Sequence, residues 1–160
     1  MNLCDKLRET TVIFPLQAAS RDETVLELLN QLQNLQILSG TIKLYSNIEE
    51  QERVNTSAVG RGLAYPHTTS MEVNELVSIL GVSKPGVDFN APDGQLCHLI
   101  LLTLSPEDDP CEHRKFITRF RTMVENPGIR SQLVDIELPR DAVDIIYQWE
   151  IDEFLDDGLD

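Results

Sequence analysis

Two short apolar runs, at residues 76–82 and 97–104, constrain the fold of this chain more than any other feature. Both are rich in Val, Ile and Leu, and both are bounded by breaker residues (Lys84-Pro85-Gly86 and Ser105-Pro106), so they read as buried strands. Between them, Pro85-Gly86 and Pro92-Asp93-Gly94 carry turn chemistry. Helical patterns surround the two runs. Ser20-Arg21-Asp22-Glu23 has the form of a capping box, and Val25, Leu26, Leu28, Leu29 and Leu32 follow at helical spacing. A weaker helix is expected from Ile42 to about Gln51. Asp109 reads as an N-cap with Pro110 at the first helical position, ahead of a stripe formed by Phe116, Ile117, Phe120, Met123 and Val124. Asn126-Pro127-Gly128 is expected to stop that helix, and a last one is expected from Arg140 to about Trp149. Residues 11–16 read as a strand in which Pro15 marks an edge or an end. Strands interleaved with helices imply an α/β or α+β sandwich around one sheet.

The stretch from Gly60 to His67 (Gly-Arg-Gly-Leu-Ala-Tyr-Pro-His) sets a histidine directly after a proline. A strand ending at Ala64 or Tyr65 runs into Pro66, which has no N–H to continue a ladder. His67 is then presented at the mouth of a sheet on a stiff backbone, with the hydroxyls of Thr68 and Thr69 just beyond. A neutral imidazole in such a place is a nucleophile, and an acceptor for the N–H of one ring nitrogen fixes the tautomer. The residues alone leave either nitrogen as the attacking atom. His98, inside an apolar run, is expected to be structural and bonded to backbone. His113 sits in the first helical turn after Asp109, where a helix dipole disfavours an imidazolium and favours a nearby anion.

The Gly60–His67 segment resembles the active-site signature of the fructose/mannitol-type enzyme IIA domains of the bacterial phosphoenolpyruvate-dependent phosphotransferase system. Residues 86–95 are similar to that family's Val-Asp-aromatic turn, 98–104 to its next buried strand, 112–116 to the start of its second-histidine helix, and 11–32 to its opening strand and helix. The resemblance covers roughly residues 8–148 and, with no second domain alongside, looks most like the stand-alone, nitrogen-regulatory enzyme IIA. It implies a single mixed β-sheet flanked by helices on both faces. It also implies a phosphocarrier that takes a phosphoryl group from an HPr-like carrier onto Nε2 of His67, supported by His113, with no cofactor and with an unspecified downstream acceptor. Whether such a chain counts as an enzyme in its own right stays open. One departure matters. Where the family usually carries an arginine about sixteen residues before the active histidine, this chain has Gln51. Arg53 and Arg61 are the expected replacements, with Thr68 as a further phosphate ligand. The alternative is a regulatory binding module that keeps the fold but transfers phosphate poorly.

Composition narrows the partners. The formal net charge is −14, and residues 141–160 hold eight acids and no Lys or Arg, so this stretch reads as a solvated, partly frayed acidic tail (149–160) on a single domain spanning 1–160. No basic face is available for nucleic acid, whereas a basic protein partner would be steered in. No apolar run approaches the ~20 residues that span a bilayer. Three cysteines without a C-x-x-C pair suit a reducing cytoplasm. A zinc site from His67, His113 and Cys111 is a third possibility, but its spacing follows no standard ligand pattern and it would need a fourth ligand.

Overall fold

The structure, a computed structural model, describes residues 2–108 and 110–159. Its centre is β5 (Val77–Val87) paired antiparallel with β6 (Cys97–Ser105), the two apolar runs of the sequence. β1 (Val12–Ile13) lies parallel to β5 at one edge. On the other side, β3 (Leu63–Ala64) and β4 (His67–Thr69) both run parallel to β6, one after the other, and β2 (Ala58–Gly60) pairs antiparallel with β3. The sheet is therefore single and mixed, in the order β1-β5-β6-β3-β2.

Alternation along the strands divides the core in two. Ile79, Ile100, Leu102 and Leu104 face α1 (Arg21–Asn34) and α2 (Ile42–Val54), which supply Val25, Leu28, Leu29, Leu32, Leu44 and Ile48. Leu80, Val82, Leu99 and Leu101 face the other way. They pack on α3 (Pro110–Val124), α4 (Pro127–Val134), α5 (Pro139–Leu159) and the N-terminal turn, through Leu3, Leu7, Phe116, Phe120, Met123 and Ile146. Helices cover both faces, as the resemblance implies.

Local chemistry explains where the structure departs from expectation. Ser20 caps α1 by accepting from Glu23 N at 3.2 Å, but the Glu23 carboxylate returns to Ala19 N rather than to Ser20. β1 is shorter than residues 11–16 because the Thr11 hydroxyl accepts from Arg8 N at 2.9 Å, closing a 3₁₀ turn over Glu9–Thr11. Pro85-Gly86 is not a turn between elements: β5 continues through it as a bulge, with Gly86 at φ 86° and its N–H donated to Ser83 Oγ at 3.1 Å. Asn126 ends α3 and also starts α4, a helix not expected from the sequence, by accepting from Gly128 N at 2.8 Å. The Asp109 cap lies outside the described residues.

Where a frayed tail is expected, α5 runs on through Leu159. Glu150 is 7% exposed and accepts from Leu3 N at 2.8 Å, Cys4 N at 3.0 Å and Arg119 Nε at 2.8 Å. The packed core thus extends beyond residues 8–148, from Leu3 to Glu150. Burial and the neighbouring Glu150 push the Cys4 thiol up to about 12, so it stays protonated.

Candidate functional site

β3 and β4 are one extended stretch interrupted at Tyr65-Pro66. Pro66 has no N–H to give the ladder, but its carbonyl accepts from Thr103 N at 3.1 Å, and β4 resumes at His67 opposite Thr103. His67 projects toward α3, at the end of β6 that carries Thr103 and Ser105. Its Nε2 is 3.0 Å from Ser105 Oγ. The His113 ring lies parallel to it, with centroids 3.8 Å apart and 17° between planes.

Both imidazoles are neutral at physiological pH. Burial, then the presence of His113, pulls His67 down to about 4 from the usual 6.5. Burial, then the Arg114 cation, lowers His113 as well. Two buried polar atoms beside this pair have no hydrogen-bond partner among the described residues: His113 Nε2, and Thr103 Oγ1 opposite His67. Orphaned buried groups are uncommon, and their convergence on one place suits an incoming acceptor-rich group. When Nδ1 of His67 holds the proton, Ser105 donates to Nε2 and marks the lone pair; the reverse tautomer donates to Ser105 instead.

The structure brings His67 and His113 together but separates the other expected site residues from them. Thr68, on the opposite face of β4, is buried and borders a cleft of about 710 Å³ with Asn47, Gln51 and Val54 of α2 and with Asn55 just beyond it. Gln51 therefore faces the underside of the histidine strand. Arg53 lies two positions on, about 200° around the helix; it is exposed and pairs with Glu49 at 2.7 Å. Arg61 sits in the Gly60–Gly62 turn, where its N–H is donated to Asp93 Oδ2 at 2.8 Å. Gly62 O accepts from His98 N, whereas His67 pairs with Thr103, so Arg61 is about 17 Å along β6 from His67. Neither arginine is brought to the imidazole. Arg121 is a cation on the His67 side of α3, with its guanidinium 5.0 Å above the Tyr65 ring.

Other expectations resolve simply. His98 is structural: its Nδ1 lies 2.9 Å from Ser83 O. Cys111 is exposed, and among the described residues no three His, Cys, Asp or Glu side chains group as metal ligands. No described helix is long and apolar enough to cross a membrane. Ser105 and Thr103 were missed by sequence reasoning, although a signal was present. They are the hydroxyl residues at alternate positions near the end of an otherwise apolar run, which puts both on one face.

A fructose-specific EIIABC component of Bacillus subtilis (strain 168) is 26% identical over 148 residues, 92% of this chain and 23% of that protein. A nitrogen regulatory protein of Bradyrhizobium diazoefficiens is 29% identical over 84 residues, 52% of this chain and 55% of that one. The chain thus spans about a quarter and about half of these curated relatives. In fold it is similar to the nitrogen regulatory protein IIA-Ntr of Neisseria meningitidis, with a TM-score of 0.81 at 20% identity over 90% of this chain and 98% of that one. The profile of the phosphoenolpyruvate-dependent sugar phosphotransferase system EIIA 2 family matches residues 5–149, and it is to this family that the chain belongs.

Proposed function

We propose that this chain is a phosphocarrier whose acceptor is His67, loaded by an HPr-like phosphohistidine protein in the cytoplasm. Membership of the EIIA 2 family establishes the phosphotransferase-system role in general terms. The relatives include both sugar-transport and nitrogen-regulatory proteins. The observation that carries the finer reading is the stacked, neutral His67–His113 pair with a hydroxyl on Nε2 of His67. In the transfer, the Nε2 lone pair of His67 forms a new N–P bond as the N–P bond on the donor histidine breaks, and the donor imidazole leaves with that electron pair. Ser105 gives up Nε2 to the phosphorus and turns its O–H to a phosphoryl oxygen. His113 and Thr103 supply further donors, which act where charge accumulates.

Incubation with phosphoenolpyruvate, enzyme I and HPr, read by intact mass, tests this. The expected product is one acid-labile phosphate on His67, and acid-stable phosphate on Ser or Thr would sink the reading. A second reading, a regulatory module that binds partners but transfers poorly, is favoured by Gln51 facing β4 and by the remoteness of Arg53 and Arg61. A stoichiometric but very slow uptake in the same assay identifies it.

A further inference from the structure

The family match ends at residue 149, but α5 continues to Leu159. Along this helix Tyr147, Ile151, Phe154 and Leu155 recur at i, i+4, i+7 and i+8, the spacing of a stripe that a helix buries. Here Tyr147, Phe154 and Leu155 are instead 58%, 76% and 56% exposed. They border a groove of about 560 Å³ between α5 and the N-terminal turn, closed on the far side by Asn2, Cys4 and Asp5. Single exposed apolar side chains need no explanation, but an aligned set above a groove marks an interaction surface.

Charge identifies the occupant. Glu153 and Asp157 project from one side of the stripe, and Asp152 and Asp156 from the other, by helical geometry. Among the described residues, the one cation lining the groove, Arg119, is committed to Glu150 at 2.8 Å and to the Trp149 ring. We propose that this face docks a helical segment of a protein partner bearing an apolar stripe flanked by Lys and Arg. A second copy of this chain is the wrong chemistry, since α5 against α5 sets two acidic rows side by side. On α3, Arg119 pairs with Glu150 of α5, whereas His113, about 120° around the helix from Arg119, stacks on His67, so the groove and the imidazole pair lie on different faces of that helix. A partner held in the groove leaves His67 open.

The test uses the full chain and two synthetic helical peptides of identical composition, one with Leu at i, i+4, i+7 between Lys flanks, the other scrambled. Fluorescence anisotropy is expected to show the patterned peptide binding at least about tenfold more tightly, weakening as salt rises. Amide chemical shifts should move at residues 2–5 and 147–157. A Phe154→Ser/Leu155→Ser chain, altered only at exposed positions, should lose about tenfold in affinity while keeping its circular dichroism and its phosphate uptake. Equal binding of the scrambled peptide, shifts centred elsewhere, or unchanged affinity in the double variant would overturn the proposal. So would self-association of the parent chain, in sedimentation, that the double variant abolishes, because the occupant would then be a second copy.

Discussion

Each end of β6 has a histidine at it, His98 on the strand itself and His67 on the neighbouring β4, and the two are treated in opposite ways. At the N-terminal end His98 has its Nδ1 bonded to a backbone carbonyl and its ring packed beside two glycines. A Cβ on Gly86 would come within 3.0 Å of that ring and 2.7 Å of Leu96 Cβ, so the space has been emptied of side chain to seat it. At the C-terminal end His67 meets a serine hydroxyl, a second imidazole, and polar atoms left without partners. One end satisfies its imidazole through backbone that cannot be exchanged for a substrate. The other holds its imidazole through side chains that can let go. On the proposed reading of His67 as acceptor, the kind of partner sets the two histidines apart, since both rings are half-buried on neighbouring strands.

The largest contrast should come from alanine at the two positions. His67→Ala is expected to abolish phosphate uptake from phosphorylated HPr, and His98→Ala to leave it within about twofold; a phosphorylated His67→Ala protein removes the distinction between the ends. Next in size, His113→Ala withdraws a donor to a charged group, worth ~1.5–3 kcal/mol, so single-turnover uptake should slow roughly ten- to a hundredfold. Uptake at the parent rate would make His113 packing alone.

The pH profile follows in size. With His67 held near 4, its lone pair remains available at pH 5.5, where a histidine titrating at 6.5 would be about nine-tenths protonated. The expected intrinsic rate at pH 5.5 is within twofold of that at pH 7, after correction for donor stability, and a tenfold fall would contradict the buried, neutral state. Stability moves with acid too. The unfolded chain binds protons at 6.5 and the folded His67 only near 4, so acidification across that window favours unfolding, and His113 adds in the same direction. Guanidinium midpoints at pH 7 and 5 should show a smaller drop in His67→Ala than in the parent.

Smaller still, Ser105→Ala removes one neutral hydrogen bond of ~1 kcal/mol and should slow uptake about fivefold. It should also change the Nδ1/Nε2 tautomer ratio of His67 in nitrogen-15 spectra. A slower rate with an unchanged tautomer ratio would make Ser105 a packing residue. The smallest effect on transfer belongs to His98→Ala, whose cost is in stability, ~1–2 kcal/mol for leaving Ser83 O unpaired.

Much of this architecture was legible in the residues. The two central strands announce themselves by continuous apolar runs, and α1 by its cap and stripe, because those signals are local. His67 was legible from Pro66, which breaks a ladder wherever it stands. The pairing of His67 with His113 came from resemblance, since no spacing rule connects residues 46 apart. Ser105 was overlooked because a serine at a strand end reads as a boundary until the neighbouring strand is in place. The arginines failed for a geometric reason. Arg53 and Arg61 are close to His67 in sequence, but a helical turn points one toward Glu49 and a hairpin carries the other down the sheet. The Pro85-Gly86 bulge misled likewise, because turn chemistry and bulge chemistry use the same residues.

The clasp between Glu150 and the amides of Leu3 and Cys4 joins residues 147 and 146 positions apart. During synthesis the N-terminal turn leaves the ribosome before the carboxylate that holds it has been made. At the usual 5–20 residues per second the wait is roughly 7–30 s. Through that interval Leu3 and Leu7, both fully buried in the finished molecule, lack α5 to cover them. A segment made early is thus locked late, and the nascent chain exposes the apolar side chains of Leu3 and Leu7 until α5 emerges.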